Sequence, residues 1–141
     1  MTVECVLDTN VLLYAVSSLP IEQPKRLAAR ALLLLPFGTS AQIVQEFYVN
    51  ATRKIKKPLS AADALAWVER LEMQAFVPTS ADLIKTAIAI SERFQISYWD
   101  GAIVAAAEAL AAPILYSEDL NHGQHYGPVR VVNPFAAAGL A

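Results

Sequence analysis

"VECVLDTNVLLYA", residues 3–15, decides how the rest of the chain is read. Val3, Cys5, Val6 and Leu7 form a run rich in β-branched and aliphatic residues, which suits a strand covered on both faces, as in a parallel sheet between helices. The run ends in Asp8, followed at once by Thr9 and Asn10. An acid that closes an apolar strand has no packing reason to be there. It falls at the carboxyl edge of the expected sheet, where open α/β folds bind their ligands.

Beyond this stretch, strands and helices alternate without an internal repeat or a low-complexity linker. A short helix over 11–16 is followed by a second in "QPKRLAARALLLL", with Pro24 tolerated in its first turn. "FGTS" is a very short second strand, and Ser40 caps a helix in which Ile43, Phe47 and Ala51, joined by Val44 and Tyr48, make an apolar stripe. Ser60 with Asp63, and Thr79 with Asp82, stand at capping-box spacing ahead of two further helices. "QAFVP", "PILYS" and "VRVVN" supply the third, fourth and fifth strands, and "SYWDGAIVAAAEALA" another helix. The loop "EDLNHGQHYGP" joins the last two strands. The alternation predicts a three-layer α/β/α fold with a mainly parallel five-stranded sheet. At 141 residues, a single domain over 1–141 is expected, large enough to bury a core without disulfides.

Composition narrows the function. The chain is 55% hydrophobic with a mean hydropathy of +0.38, but much of that is alanine. No stretch reaches the ~18 consecutive apolar residues of a membrane span, and the N-terminus carries no basic, cleavable leader. A soluble cytoplasmic protein with no membrane partner is expected. The lone cysteine, Cys5, sits inside the first strand and reads as a small core residue. A net charge of −2 gives no global basic signature, so any nucleic-acid contact must come from a local patch. The one dense basic run is "RKIKK", with Arg53, Lys54, Lys56 and Lys57, able to hold RNA phosphates or merely to complement the dipole at a helix end.

Four acids stand where such a sheet places function. Asp8 ends the first strand, Asp119 lies just past the fourth, and Asp100 falls in the first turn of a helix starting at the same rim. Glu46 adjoins Phe47 on its helix's apolar stripe, so its side chain can point inward over that rim. Each has a plainer reading: Asp100 as a cap partner of Ser97, Asp119 as a turn former, Glu46 as a solvated helix residue. Taken together they are carboxylates too close to stay ionised unaided. A Mg²⁺ or Mn²⁺ ion relieves that conflict with hard oxygen ligands and suits phosphodiester hydrolysis by an activated water.

"LDTNVLLYA", "QIVQEFYVNATRK", "SYWDGAIVAAA" and "ILYSEDLNHGQ" together resemble the four acidic motifs of PIN-domain ribonucleases, in order and across nearly the whole chain. The nearest resemblance is to VapC-like toxins of toxin–antitoxin systems. It implies a Mg²⁺- or Mn²⁺-dependent endoribonuclease with Asp8, Glu46, Asp100 and Asp119 as its acidic metal site, and Asn10 and Ser117 as polar supports. Glu118 adjoins the matched Asp119 and competes with it for that role. The resemblance also implies an antitoxin that occludes the site, and a homodimer. Asn10 is placed to fix the Asp8 carboxylate from the following turn, and the Thr9 hydroxyl is available there too.

Other residues read more plainly. His122 and His125 lack a third soft ligand and suit a polar loop. Tyr98 and Trp99 either pack their helix or stack bases. Two rival functions stand beside the nuclease. One is a haloacid-dehalogenase-like phosphatase with Asp8 as nucleophile, although such enzymes carry an aspartate where this chain has Asn10. The other is a non-catalytic module that uses an acidic pocket only to hold RNA or a partner. The apolar stretches "ARALLLL", around Trp67, and "NPFAAAGLA" exceed what one small core needs and point to covered surfaces.

Overall fold

The structure is a computed structural model and describes residues 2–140. In chain order the elements are β1 (Cys5–Leu7), α1 (Thr9–Val16), a 3₁₀ turn (Pro20–Glu22), α2 (Gln23–Leu32), β2 (Phe37–Ser40), α3 (Ala41–Arg53), α4 (Ala61–Glu72), β3 (Ala75–Val77), α5 (Ala81–Phe94), α6 (Tyr98–Ala109), β4 (Ile114–Tyr116), β5 (His125–Tyr126), β6 (Val129–Val132) and α7 (Pro134–Ala137). The sheet runs β3-β2-β1-β4-β6-β5, with every pairing parallel except β5 with β6. Every residue of β1 is buried, although successive side chains point to opposite faces, so the sheet is covered on both sides as its sequence predicts.

The sheet has six strands rather than five. The extra one, β5, is two residues long and turns back through Gly127 (φ 62°) and Pro128 onto β6. Proline at the second turn position and glycine at positive φ at the first fit a type II′ hairpin. A second difference concerns a cap: Ser80, not Thr79, precedes α5 and accepts from the Leu83 N–H at 3.1 Å. Ser60 and Ser97 cap α4 and α6 as read. The tail is not spare apolar surface. Asn133 caps α7 and accepts from the Phe135 and Ala136 N–H groups, and Phe135 is fully buried, edge-on to Tyr14 at 4.9 Å.

Helix α6 is the interior helix. Residues 101–107 are buried all round, and the helix packs on α5 as well as against β2, β4 and β6. Alanine makes that close approach possible, which accounts for the high apolar fraction without a membrane. Among the described residues no helix is long and apolar enough to cross one.

Candidate functional site

Strand order reverses at β1: the chain moves from β1 to β2 and β3 on one side, then returns to β4 on the other. The crevice above the carboxyl ends of β1 and β4 is the topological switch point, where open α/β sheets hold their ligands. Asp8 leaves β1 at that point, tied to β4 by its N–H donating to the Tyr116 carbonyl at 3.0 Å. Ser117 and Asp119 leave β4 beside it.

Asp8 is 4% exposed. Its Oδ1 accepts from the Thr9 N–H at 2.6 Å and its Oδ2 from the Ser117 hydroxyl at 2.8 Å. Burial nevertheless pushes its carboxyl up to about 6; the hydrogen bonds of Ser117 and Thr9 oppose the rise, and both charges acting on it, Asp119 and Glu46, are negative and add to it. Asp119 is more open, and its carboxyl is also raised, by partial desolvation and then by Asp100, against the Asn10 amide, with Glu46 adding to the rise. Glu46 projects from α3, where its Oε2 accepts from the Thr9 hydroxyl at 2.9 Å and its Oε1 from Gln42 Nε2 at 3.0 Å. Asp100 sits in the first turn of α6, its N–H donating to the Ser97 hydroxyl at 3.1 Å.

The four acids therefore share one rim and feel one another's charge. They are not drawn into a tight cage: among the described residues no three Asp, Glu, His or Cys side chains converge closely enough to enclose an ion alone. The donor set still suits Mg²⁺ or Mn²⁺, since Mg²⁺ keeps much of its water and is held by one or two carboxylates plus a substrate phosphate. The supports are distributed differently from the sequence reading. Asn10 Nδ2 donates to Asp119 at 3.1 and 3.2 Å, not to Asp8. Ser117 serves both acids, donating to Asp8 and accepting from the Asp119 N–H at 3.1 Å. Thr9 and Gln42 orient Glu46; for Gln42 the available signal was its place one turn before Glu46 on the same helix.

Glu118 lines a neighbouring cleft of about 380 Å³, where desolvation raises its carboxyl, Lys25 lowers it, and Asp119 and Glu22 add to the rise. That cleft starts at Asn10, has Leu13 and Tyr14 along it, and is walled by Lys54, Lys56 and Lys57. The basic run thus borders the site, except Arg53, which stays on the last turn of α3 outside the cleft lining. His122 Nδ1 accepts from the Asn133 N–H at 2.9 Å, a loop-fixing contact, and His125 lies exposed in β5. Cys5 is buried and its thiol is pushed up to about 11 by desolvation, with Glu4 adding to the rise, so it is not a nucleophile.

The sequence model of the PIN domain family matches residues 5–127. The chain belongs to the PIN-domain family. This membership sets aside the phosphatase reading, in keeping with an amide at position 10 already bonded to Asp119. The match stops short of β6 and α7, yet β6 pairs with β4 inside the same sheet. Among solved structures, the PIN fold here is similar to that of VapC20 of Mycobacterium tuberculosis, described as a sarcin-ricin-loop-cleaving toxin, with a TM-score of 0.62 and 16% identity over 98% of this chain and 97% of that one. It is also similar to FitAB, solved bound to an IR36 DNA fragment, with a TM-score of 0.61 and 21% identity over 93% and 95%. At such identities the likeness is one of fold. No curated protein matches significantly in sequence.

Proposed function

We propose that this PIN domain is a Mg²⁺- or Mn²⁺-dependent endoribonuclease acting as a single unit over its 141 residues. The observation that carries the reading is Asp8: a buried carboxylate at the switch point whose charged neighbours are all negative, an arrangement that calls for a cation. Asp8, Glu46, Asp100 and Asp119 would hold the ion. When bound, it supplies charge neutralisation for the scissile phosphate and a water of lowered pKa. The rest falls to the chain's own groups. Ser117 and the Thr9 N–H aim Asp8, Asn10 aims Asp119, and Thr9 with Gln42 aims Glu46. No side-chain nucleophile is needed. Purified protein is expected to cut an unstructured RNA with added Mg²⁺ or Mn²⁺, leaving a 5′-phosphate and a 3′-hydroxyl, and to stop with EDTA. RNA binding without metal-dependent cleavage would instead mark a binding module.

The lysines of the cleft would contact phosphates on one flank of the cut. Replacing Lys54, Lys56 and Lys57 by alanine is expected to leave the chemistry intact but weaken RNA binding. With roughly 0.7 of logarithmic salt slope per phosphate contact on a single strand, the slope should fall by about 2. An unchanged slope returns these residues to a solvated helix end.

A toxin role, with an antitoxin partner that covers the acidic rim, is the biological setting we propose, supported by fold likeness to VapC20 and FitAB. A cation from such a partner, pairing with Asp8 or Asp119, would compete with the metal. A homodimer is part of the same proposal: α5 leaves Ile84 and Ile88, one turn apart, 38% and 48% exposed. Light scattering on the protein alone, then with the product of any adjacent gene, reads both. A monomer whose mass and activity that product leaves unchanged removes both.

A further inference from the structure

Trp99 stands at the rim with 62% of its surface exposed, although α6 packs through Gly101 to Ala107 and does not need it. Its neighbour Tyr98 is half-buried and meets it edge-on, ring centroids 5.1 Å apart, so one aromatic anchors the helix start while the other faces water. The same residue is tied to the acids. Gln42 Nε2, which donates to Glu46 Oε1, also donates to the Trp99 carbonyl at 3.4 Å, and Asp100 follows directly in the chain. The backbone that carries the indole is therefore tied through Gln42 to Glu46, on a helix start fixed by Ser97.

The geometry points to Trp99 as a stacking platform for an unpaired base next to the scissile phosphate, a substrate-positioning residue of the nuclease proposed above, on which this inference rests. The continuity of the rim carries it. The lysine-walled cleft reaches Asn10, Asn10 bonds Asp119, Asp119 feels the charge of Asp100, and Trp99 adjoins Asp100. A strand laid along that line places phosphates at the lysines, the cut over the acids and a base on the indole. The residue bonded to the Trp99 backbone, Gln42, and its chain neighbour Asp100 are polar. Every base offers a π-face, so the contact is tolerant of sequence, whereas a base inside an A-form duplex is already stacked and out of reach.

The chain's two tryptophans make this measurable. In the inactive Asp8→Asn background with Mg²⁺, a 12-nucleotide RNA without self-complementarity should quench emission, and its perfect duplex should quench far less. Adding Trp99→Phe should abolish the quench, leaving Trp67 as a silent reporter. In the active protein, Trp99→Ala should raise KM by roughly 5- to 150-fold, the range of one base–aromatic stack, with kcat changing little, and Trp99→Phe should restore most of it. Trp99 is exposed, so the melting temperature should stay within about 2 °C. Absence of a Trp99-dependent quench in protein that cleaves RNA overturns the stacking role and leaves the nuclease standing. A Trp99-dependent quench when the wild-type protein cleaves nothing supports the platform and removes the nuclease instead. Emission that follows protein concentration and dimer mass but ignores RNA overturns the proposal in favour of a second copy of the chain.

Discussion

Asp8→Asn is expected to lower RNA cleavage by at least about 100-fold while raising the melting temperature of the metal-free protein. The two effects have one origin. In the metal-free fold Asp8 is buried and its carboxyl is raised from 3.8 to about 6, so folding opposes its ionisation. Between those two values the folded protein keeps a proton that the unfolded chain has released. Its stability therefore falls as pH rises from about 4 through about 6, and the contribution is fully present only below the lower value. At pH 7 the strain is on the order of 3 kcal/mol. Asparagine keeps an acceptor for the Thr9 N–H and lets the Ser117 hydroxyl reverse, so part of the strain is relieved. A rise of roughly 3–8 °C follows at pH 7, shrinking toward zero at pH 4, where Asp8 is protonated. Mg²⁺ or Mn²⁺ should then stabilise the wild type more than the variant, which reads the metal without reference to activity. Equal cleavage rates in folded wild type and variant would sink the assignment of Asp8. A flat difference in melting temperature from pH 4 to 7 would sink the burial argument.

The second large effect lies in packing behind the site. Gly101 follows Asp100 on α6, and a Cβ added there would come 2.8 Å from the Ala87 carbonyl oxygen of α5, 3.1 Å from Ser91 Cβ and 3.2 Å from the Ser91 N. Two of those atoms are backbone inside a helix and cannot swing away. Gly101→Ala gains about 1 kcal/mol of helix propensity against that overlap and should be mildly destabilising. Gly101→Val adds two methyl groups with nowhere to go. It is expected to cost about 3 kcal/mol or more, lowering the melting temperature by roughly 10 °C, as α6 is pushed off α5. Asp100 moves with the helix start, so cleavage should fall even at temperatures where the variant is folded. A Gly101→Val protein that melts within about 2 °C of wild type and cuts normally would show that the α5–α6 contact is looser than described.

Several features were legible in the sequence because they are local. The apolar run ending at Asp8 announced a strand covered on both faces with a carboxylate at its carboxyl end; both follow from strand periodicity and the rarity of acids beside buried strands. Ser40, Ser60 and Ser97 announced helix starts because a cap needs only a hydroxyl and an N–H three residues on. The same logic misplaced one start by a residue, since Thr79 and Ser80 both offer a hydroxyl and only the backbone at Ser80 (φ −127°, ψ 166°) presents it to the helix. Strand β5 escaped because two residues carry no period; its signal was the Gly127–Pro128 turn.

Which side chain holds which carboxylate depends on contacts between distant parts of the chain. Asn10 bonds Asp119 across 109 residues and Thr9 bonds Glu46 across 37, partners that no spacing in the chain encodes. Glu118 and Asp119, adjacent in the chain, meet different partners past β4, one Lys25 and the cleft, the other Asp100 and Asn10. Phe135 reversed its expected place, and Tyr98 and Trp99, read alike in the sequence, took different ones, for the same reason: an aromatic at a helix start packs or faces water according to what lies opposite in space. Strands, caps and a charged edge are written in the chain, because those depend on neighbours within one turn. The carboxylate cluster and its supports exist only once the reversal of strand order at β1 brings the ends of β1 and β4 together with the starts of α1, α3 and α6.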